Sequence, residues 1–290
     1  MIKTKIILLF LLYGFNLNSQ STYLWKITNN QSESVSYIFG TNHQIGGSFL
    51  ESYPVVLENL EKSDLAIFES VDGNREKTDI LKKPDSYKYR KALGKDYANK
   101  LDILSSDWSI PVSKLTPPQV LFILGKNFTT HKCEAYLPQD SIIQLDDYLQ
   151  NKAESKEISI YGLETDSLQG VLITQQFKGI SWKSLKKNKN FKKRVQFWID
   201  ANNGEKDNVR LCKSTNDYKQ LKFDFAFEKE CPNDVMLKQR NKDWMYQLPK
   251  LLMEKNCFIV VGIAHLAYDC GLIEQLKENG FHVEPVVMKY

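Results

Sequence analysis

The 290-residue sequence holds only four histidines, and it has no Gly-x-Ser-x-Gly elbow, no phosphate-cradling glycine loop and no dinucleotide fingerprint. Serine-nucleophile, P-loop and nicotinamide chemistry are left without their usual motifs. Its five cysteines, Cys133, Cys212, Cys231, Cys257 and Cys270, lack the close spacing of a zinc-cysteine site. The formal charge of +4 becomes +2 without Lys3 and Lys5, too small a basic excess for a nucleic-acid binder. After residue 20 no apolar run is long enough to span a bilayer.

What is present begins with an export signal. Lys3 and Lys5 precede the apolar stretch Ile6 to Phe15 and the polar Asn16 to Gln20, the layout of a secretory signal peptide. Residues 1–20 are therefore expected to be removed, leaving one domain over 21–290, exported to a periplasm or to the medium. An uncleaved anchor is the competing reading. An odd number of cysteines in an oxidising compartment allows one or two disulfides and a spare thiol. Cys212 and Cys231 bracket a polar segment and are the expected pair, whereas Cys257 lies on an apolar strand and is expected to be buried packing.

The chain then repeats one pattern. Tyr37-Ile38-Phe39-Gly40-Thr41-Asn42-His43 is an apolar run ending in glycine with a histidine three residues on, and Phe258-Ile259-Val260-Val261-Gly262-Ile263-Ala264-His265 is a second copy. Composition alone predicts roughly 0.2 Gly-x-x-His pairs in a shuffled chain of this length. Two copies, each after a strand-like run, argue for a shared purpose. A glycine at a strand's carboxyl end lets the backbone turn and aims the histidine at the crevice where α/β sheets bind ligands. Two imidazoles meeting there suit a divalent metal. Each histidine taken alone reads equally well as a strand end bonded to backbone.

The flanking segments predict an α/β fold containing two strand, Gly-x-x-His, helix, strand units. Tyr23 to Ile27 and Ser34 to Phe39 form a hairpin about Asn29-Asn30, Ser48 caps a helix through Leu60, and Leu65 to Phe68 is a buried strand ending at Glu69. Gly271 to Asn279 is a helix and Phe281 to Val287 the last strand. The middle is expected to be helical over Leu101–Trp108, Pro118–Lys126, Asp140–Gln150, Asp166–Lys178 and Met236–Leu251, with a strand over Glu157–Glu164. Lys178 to Arg194 carries eight basic residues and no acidic one, with Trp182 and Phe191 among them. Such a stripe grips an anionic polymer or a membrane surface, or is a solvated helix face.

Glu69 and Glu164 each end a short apolar strand, where a carboxylate is costly unless paired or liganded. With His43 and His265 they make a mixed nitrogen and oxygen set suited to manganese, cobalt, zinc or iron(II), one carboxylate binding metal and the other activating water. As alternatives, either Glu caps the following helix. Arg240, beside Asn241, is a candidate for holding a substrate carboxylate or an oxyanion, or for a structural ion pair with Asp140 or Glu164. His131 and His282 lack the strand-glycine setting and are expected to be bystanders.

Leu24-Trp25-Lys26-Ile27, Phe39-Gly40-Thr41-Asn42-His43, Phe68-Glu69-Ser70, Gly162-Leu163-Glu164-Thr165 with Gln169, Gln239-Arg240-Asn241 and Val261-Gly262-Ile263-Ala264-His265-Leu266 occur in that order. Together they resemble the TraB/PrgY/GumN group, related to the TIKI metalloproteases and distantly to the ChaN haem or iron carriers. The resemblance implies an α/β fold with a mixed central sheet and duplicated Gly-x-x-His units, and a metal-dependent peptidase activity. It places His43, Glu69 and His265 at the metal or catalytic positions and Arg240 and Glu164 at supporting ones. Asn42 and Cys270 depart from the usual pattern. The expected partner is a peptide or small-molecule substrate, with a non-catalytic protein that sequesters such a ligand as the alternative.

Overall fold

Six strands, β1 (Leu24–Asn29), β2 (Ser32–Thr41), β3 (Leu65–Phe68), β4 (Ser159–Gly162), β5 (Cys257–Gly262) and β6 (His282–Pro285), form one sheet in the order β4-β3-β5-β2-β1-β6. The computed structural model describes residues 22–71, 80–140, 143–165, 177–232 and 234–289. The stretch read as a signal peptide, most of the helix expected over Asp166–Lys178, and Gln169 lie outside the described residues. β2, β5, β3 and β4 run parallel, while β1 is antiparallel to both β2 and β6, so the sheet is mixed as expected.

The period-two alternation of a strand divides the core into two layers. Phe39, Ala66, Phe68, Phe258 and Val260 face one side, against α1 (Pro54–Leu60) and α5 (Leu145–Ser155). Ile38, Leu65, Ile67, Ile259 and Val261 face the other, against α8 (Arg240–Trp244), α9 (Leu248–Glu254) and α10 (Leu272–Glu278). Strand β5 is buried at every position because it is covered on both faces and paired on both edges. A third cluster joins α2 (Lys88–Leu93), α3 (Lys95–Leu104), α4 (Pro117–Lys132) and α6 (Lys189–Asn202), away from the sheet.

Several boundaries differ from the sequence reading. Ser48 does not cap a helix: its N–H and hydroxyl donate to Asp140 at 2.6 Å, and α1 starts instead at Pro54, whose fixed φ suits a first turn. Asp140 is thereby committed to this loop and not to Arg240. The helix expected over Met236–Leu251 is a π-helical turn, Asp234–Gln239, followed by the two short helices α8 and α9. The expected pairing of Cys212 with Cys231 is wrong. Cys212, just before α7 (Lys213–Lys219), bonds Cys133 at the end of α4, and Cys231 bonds Cys270, leaving Cys257 as a buried thiol. The Cys231 loop is brought to Cys270 by long-range backbone bonds, Tyr268 N to Phe225 O and Asp269 N to Lys229 O, which local polarity does not reveal.

Phe258, fully buried on β5, is the position where the central strand meets the first core layer. Phe258→Ala is expected to lower unfolding free energy by about 3–5 kcal/mol in urea titrations; a loss below about 1 kcal/mol would show that this layer is loosely packed.

Candidate functional site

Parallel pairing aligns four strand ends at one edge of the sheet. Thr41 lies beside Gly262, Phe68 beside Val260 and Gly162 beside Phe68, so the residues just past β2, β5, β3 and β4 emerge together. These are His43, His265, Glu69 and Glu164. Ligand sites of α/β sheets form at this carboxyl edge. The approach is close: a Cβ on Gly262 would stand 3.0 Å from His43 Nε2 and 3.3 Å from Glu69 Oε1. On Gly40 it would stand 2.9 Å from the Leu266 side chain, so each motif glycine makes room for the other motif's turn.

Arg240 enters from α8 and ties three of the four ends together. Its Nη2 donates to Glu69 Oε2 at 2.6 Å and to Glu164 Oε1 at 2.7 Å, and its Nε reaches both Glu164 oxygens at 3.1 Å. Its Nη1 donates to His265 Nε2 at 2.9 Å, and the guanidinium lies 4.7 Å from the centre of the Trp244 ring. Burial opposes the charge of Arg240, and its bonds to Glu164 and Glu69 more than offset this, raising its pKa. Trp244 Nε1 also donates to Glu164 at 3.2 Å. Of the two ion-pair partners considered for Arg240, Glu164 is the one used, together with Glu69.

The tautomer of His265 follows from Asn241. The Asn241 amide nitrogen donates to the carbonyls of His265 at 3.0 Å and Cys270 at 2.8 Å, which turns its oxygen toward His265 Nδ1, 2.6 Å away. Nδ1 is therefore the protonated nitrogen, and Nε2 is the acceptor that Arg240 uses. Burial holds the His265 pKa down at about 4, so the ring is neutral at neutral pH.

His43 is the opposite case. Its ring is half-exposed, and Nδ1 bonds Asp146 Oδ2 at 2.8 Å while Thr41 Oγ1 donates to Asp146 Oδ1 at 2.5 Å. The Asp146 charge pushes the His43 pKa up to about 9. Nε2 faces Glu69 Oε1 at 3.9 Å across a pocket of about 170 Å³ lined also by Ser70, Gln144 and Asp147. Burial alone would raise the Glu69 pKa, yet the charges of His265, Arg240 and His43 and the Gly262 N–H, which donates at 2.7 Å, bring it to about 2. With His265 neutral, Arg240, the protonated His43 and the Gly262 N–H are what keep Glu69 anionic near neutrality.

The structure thus brings together His43, Glu69, Glu164, Arg240 and His265. It adds Asp146, which carried no distinguishing signal: an aspartate in the first turn of a helix is an ordinary capping residue, and it is more than 100 positions from His43. His131 and His282 do not take part.

Whether His43, Glu69 and His265 fit a divalent metal is decided by their lone pairs. His43 Nε2 and Glu69 Oε1 share an open corner, but His265 Nε2 accepts from Arg240, and Glu69 Oε2 is bonded to the same guanidinium. No group of three or more histidine, cysteine, aspartate or glutamate side chains able to hold a metal occurs among the described residues. With Arg240 in place the expected three-ligand set does not fit, because a fixed cation occupies the third donor. Arg240→Met leaves Glu69 and Glu164 buried without it, and should cost about 3–5 kcal/mol in the metal-free protein. It also frees His265 Nε2, so manganese or zinc is expected to raise the melting temperature of the variant by more than that of the wild type. A larger metal-induced rise in the wild type would show that Arg240 and metal do not compete.

Comparison with known proteins places this constellation. No curated protein and no solved structure matches the chain. A family model described as TraB/PrgY/gumN family matches residues 23–285, which takes in every strand of the sheet and every residue of the site. The chain belongs to the TraB/PrgY/gumN family.

Proposed function

We propose that the protein is an exported hydrolase of peptide bonds that works at the pocket between His43 and Glu69. The observation that carries this reading is the Asp146–His43 pair, which holds the ring with Nδ1 engaged and Nε2 directed at Glu69 Oε1. A water accepted between these atoms has a nitrogen base on one side and a fixed carboxylate on the other. Neutral His43 takes the proton of the attacking water at Nε2, and Asp146 stabilises the imidazolium that results. Glu69, kept anionic by Arg240 and Gly262, orients the water through Oε1. The protonated ring then supplies the proton that the leaving amine needs. Glu164 and His265 act through Arg240, which they hold in position. The metal-dependent form of this activity gains no step from the present geometry.

Export is part of the same proposal. It is supported by the layout of residues 1–20 and by two disulfides, which persist in oxidising compartments. Among the described residues no helix is long and apolar enough to cross a membrane.

The pH profile tests the assignment because the resting ring carries a proton. The base form of His43 gains population as the pH rises through about 9, so kcat/KM on quenched fluorescent peptides should climb to a plateau above that value. Asp146→Asn removes the charge that raises this pKa. Its profile should shift toward the ordinary histidine value near ~6.5, with the plateau lowered about 10²-fold or more. A flat profile, or an Asp146→Asn enzyme of unchanged rate, would remove His43 as the base. Tight capture of peptides without product would instead identify a sequestering protein.

A further inference from the structure

Away from the sheet, α2 and the segment 181–187 enclose a groove of about 1150 Å³, much larger than the pocket at His43. Lys88 and Lys91, three apart on α2, stand on one wall, and Lys183, Lys186 and Lys187 stand on the other. All five are exposed, and none forms an ion pair among the described residues. The lone carboxylate of the lining among the described residues, Asp85, is already engaged by the Ser113 hydroxyl and lies 3.9 Å from Lys114. Five like charges held around one concavity repel each other, an arrangement that a complementary polyanion relieves.

The floor between these walls is apolar. Trp182 is almost fully buried there, its indole N–H donating to Leu115 O at 2.8 Å, and Ala92 and Pro84 lie beside it. Tyr87 stands exposed at the rim. A second hollow, of about 540 Å³, shares Ser184 and Lys187 and continues the basic surface past Lys178 and Lys189. This is the basic run of the sequence, folded so that part of it lines a channel.

We propose that this groove binds an extended acidic polypeptide segment. Alternate side chains of an extended strand point in opposite directions, so carboxylates can meet the lysines while the intervening apolar residues rest on the floor. A bilayer surface is a plane and cannot reach ammonium groups on two facing walls of a concavity. A nucleic acid favours bidentate arginine at phosphate and several stacking rings, whereas among the described residues no arginine lines the groove and a single aromatic ring is exposed in it. The proposal does not depend on chemistry at His43.

Fluorescence anisotropy with a labelled peptide of about ten residues, glutamate alternating with leucine and alanine, tests it on the full mature chain. The wild type should bind, and affinity should fall about tenfold or more between about 50 and about 300 mM NaCl. Lys183→Glu/Lys186→Glu/Lys187→Glu should weaken binding at least about tenfold, and Lys88→Glu/Lys91→Glu on the opposite wall should do the same, with circular dichroism confirming that both fold. The same peptide with lysine for glutamate should not bind. Failure of the acidic peptide to bind the wild type, or binding by either folded variant as tight as that of the wild type, overturns the proposal. Binding of heparin or of phosphatidylglycerol vesicles with the peptide left unbound overturns it too, and assigns the surface to that polyanion.

Discussion

A guanidinium with almost no contact with solvent sits where four strand ends converge, and it donates to three of the four side chains that meet there. Without Arg240, Glu69 would be a carboxylate in a dry site, and burial would drive it toward the neutral form. With it, Glu69 stays ionised and presents Oε1 to the pocket, Glu164 has a partner for both of its oxygens, and His265 Nε2 has a donor to accept from. Such a network is expensive to assemble and more expensive to break, since removal of one member strands the others. Its worth lies in geometry: three side chains from three segments are locked around one planar fork.

The division of labour between the two motifs follows from where each strand lies. β5 is central, so the turn after it is buried under α8 and its histidine becomes part of the interior network. β2 is also paired on both sides, but the turn after it opens to solvent beside the first turn of α5, and Asp146 from that helix pairs with its histidine. The same Gly-x-x-His spacing therefore yields a neutral structural ring and an exposed charged one. Only the second is accessible to a substrate.

Much of this was legible in the sequence because it is local. The apolar runs of β3 and β5, the turn-directing Gly40 and Gly262, and the stop at Gly280 each act within a few residues, and the two strand, Gly-x-x-His, helix, strand units emerged from them. Glu69 and Glu164 were visible as carboxylates placed where a charge is costly, and His43 and His265 as the ends of a repeated Gly-x-x-His pattern. Contacts made across the chain were not. Asp146 is indistinguishable from any acid in a helix's first turn, and the bond between Cys133 and Cys212 spans 79 positions that only tertiary packing closes. The metal expected from two histidines and a glutamate overlooked that Arg240, read as a choice between substrate binding and one ion pair, reaches three of the same groups at once. Ligand lone pairs are a property of the assembled site.

The central claim is that burial and Asn241 hold His265 as a neutral ring protonated at Nδ1, its Nε2 accepting from the resident cation Arg240, while His43 carries a proton on both nitrogens. With four histidines in the chain, ¹⁵N-histidine labelling resolves each ring by NMR. At neutral pH the spectrum should show one ring with Nδ1–H and a bare Nε2, lost in His265→Asn, and one fully protonated ring, lost in His43→Ala. A His265 signal protonated at Nε2, or one that titrates near its ordinary value, would contradict the account.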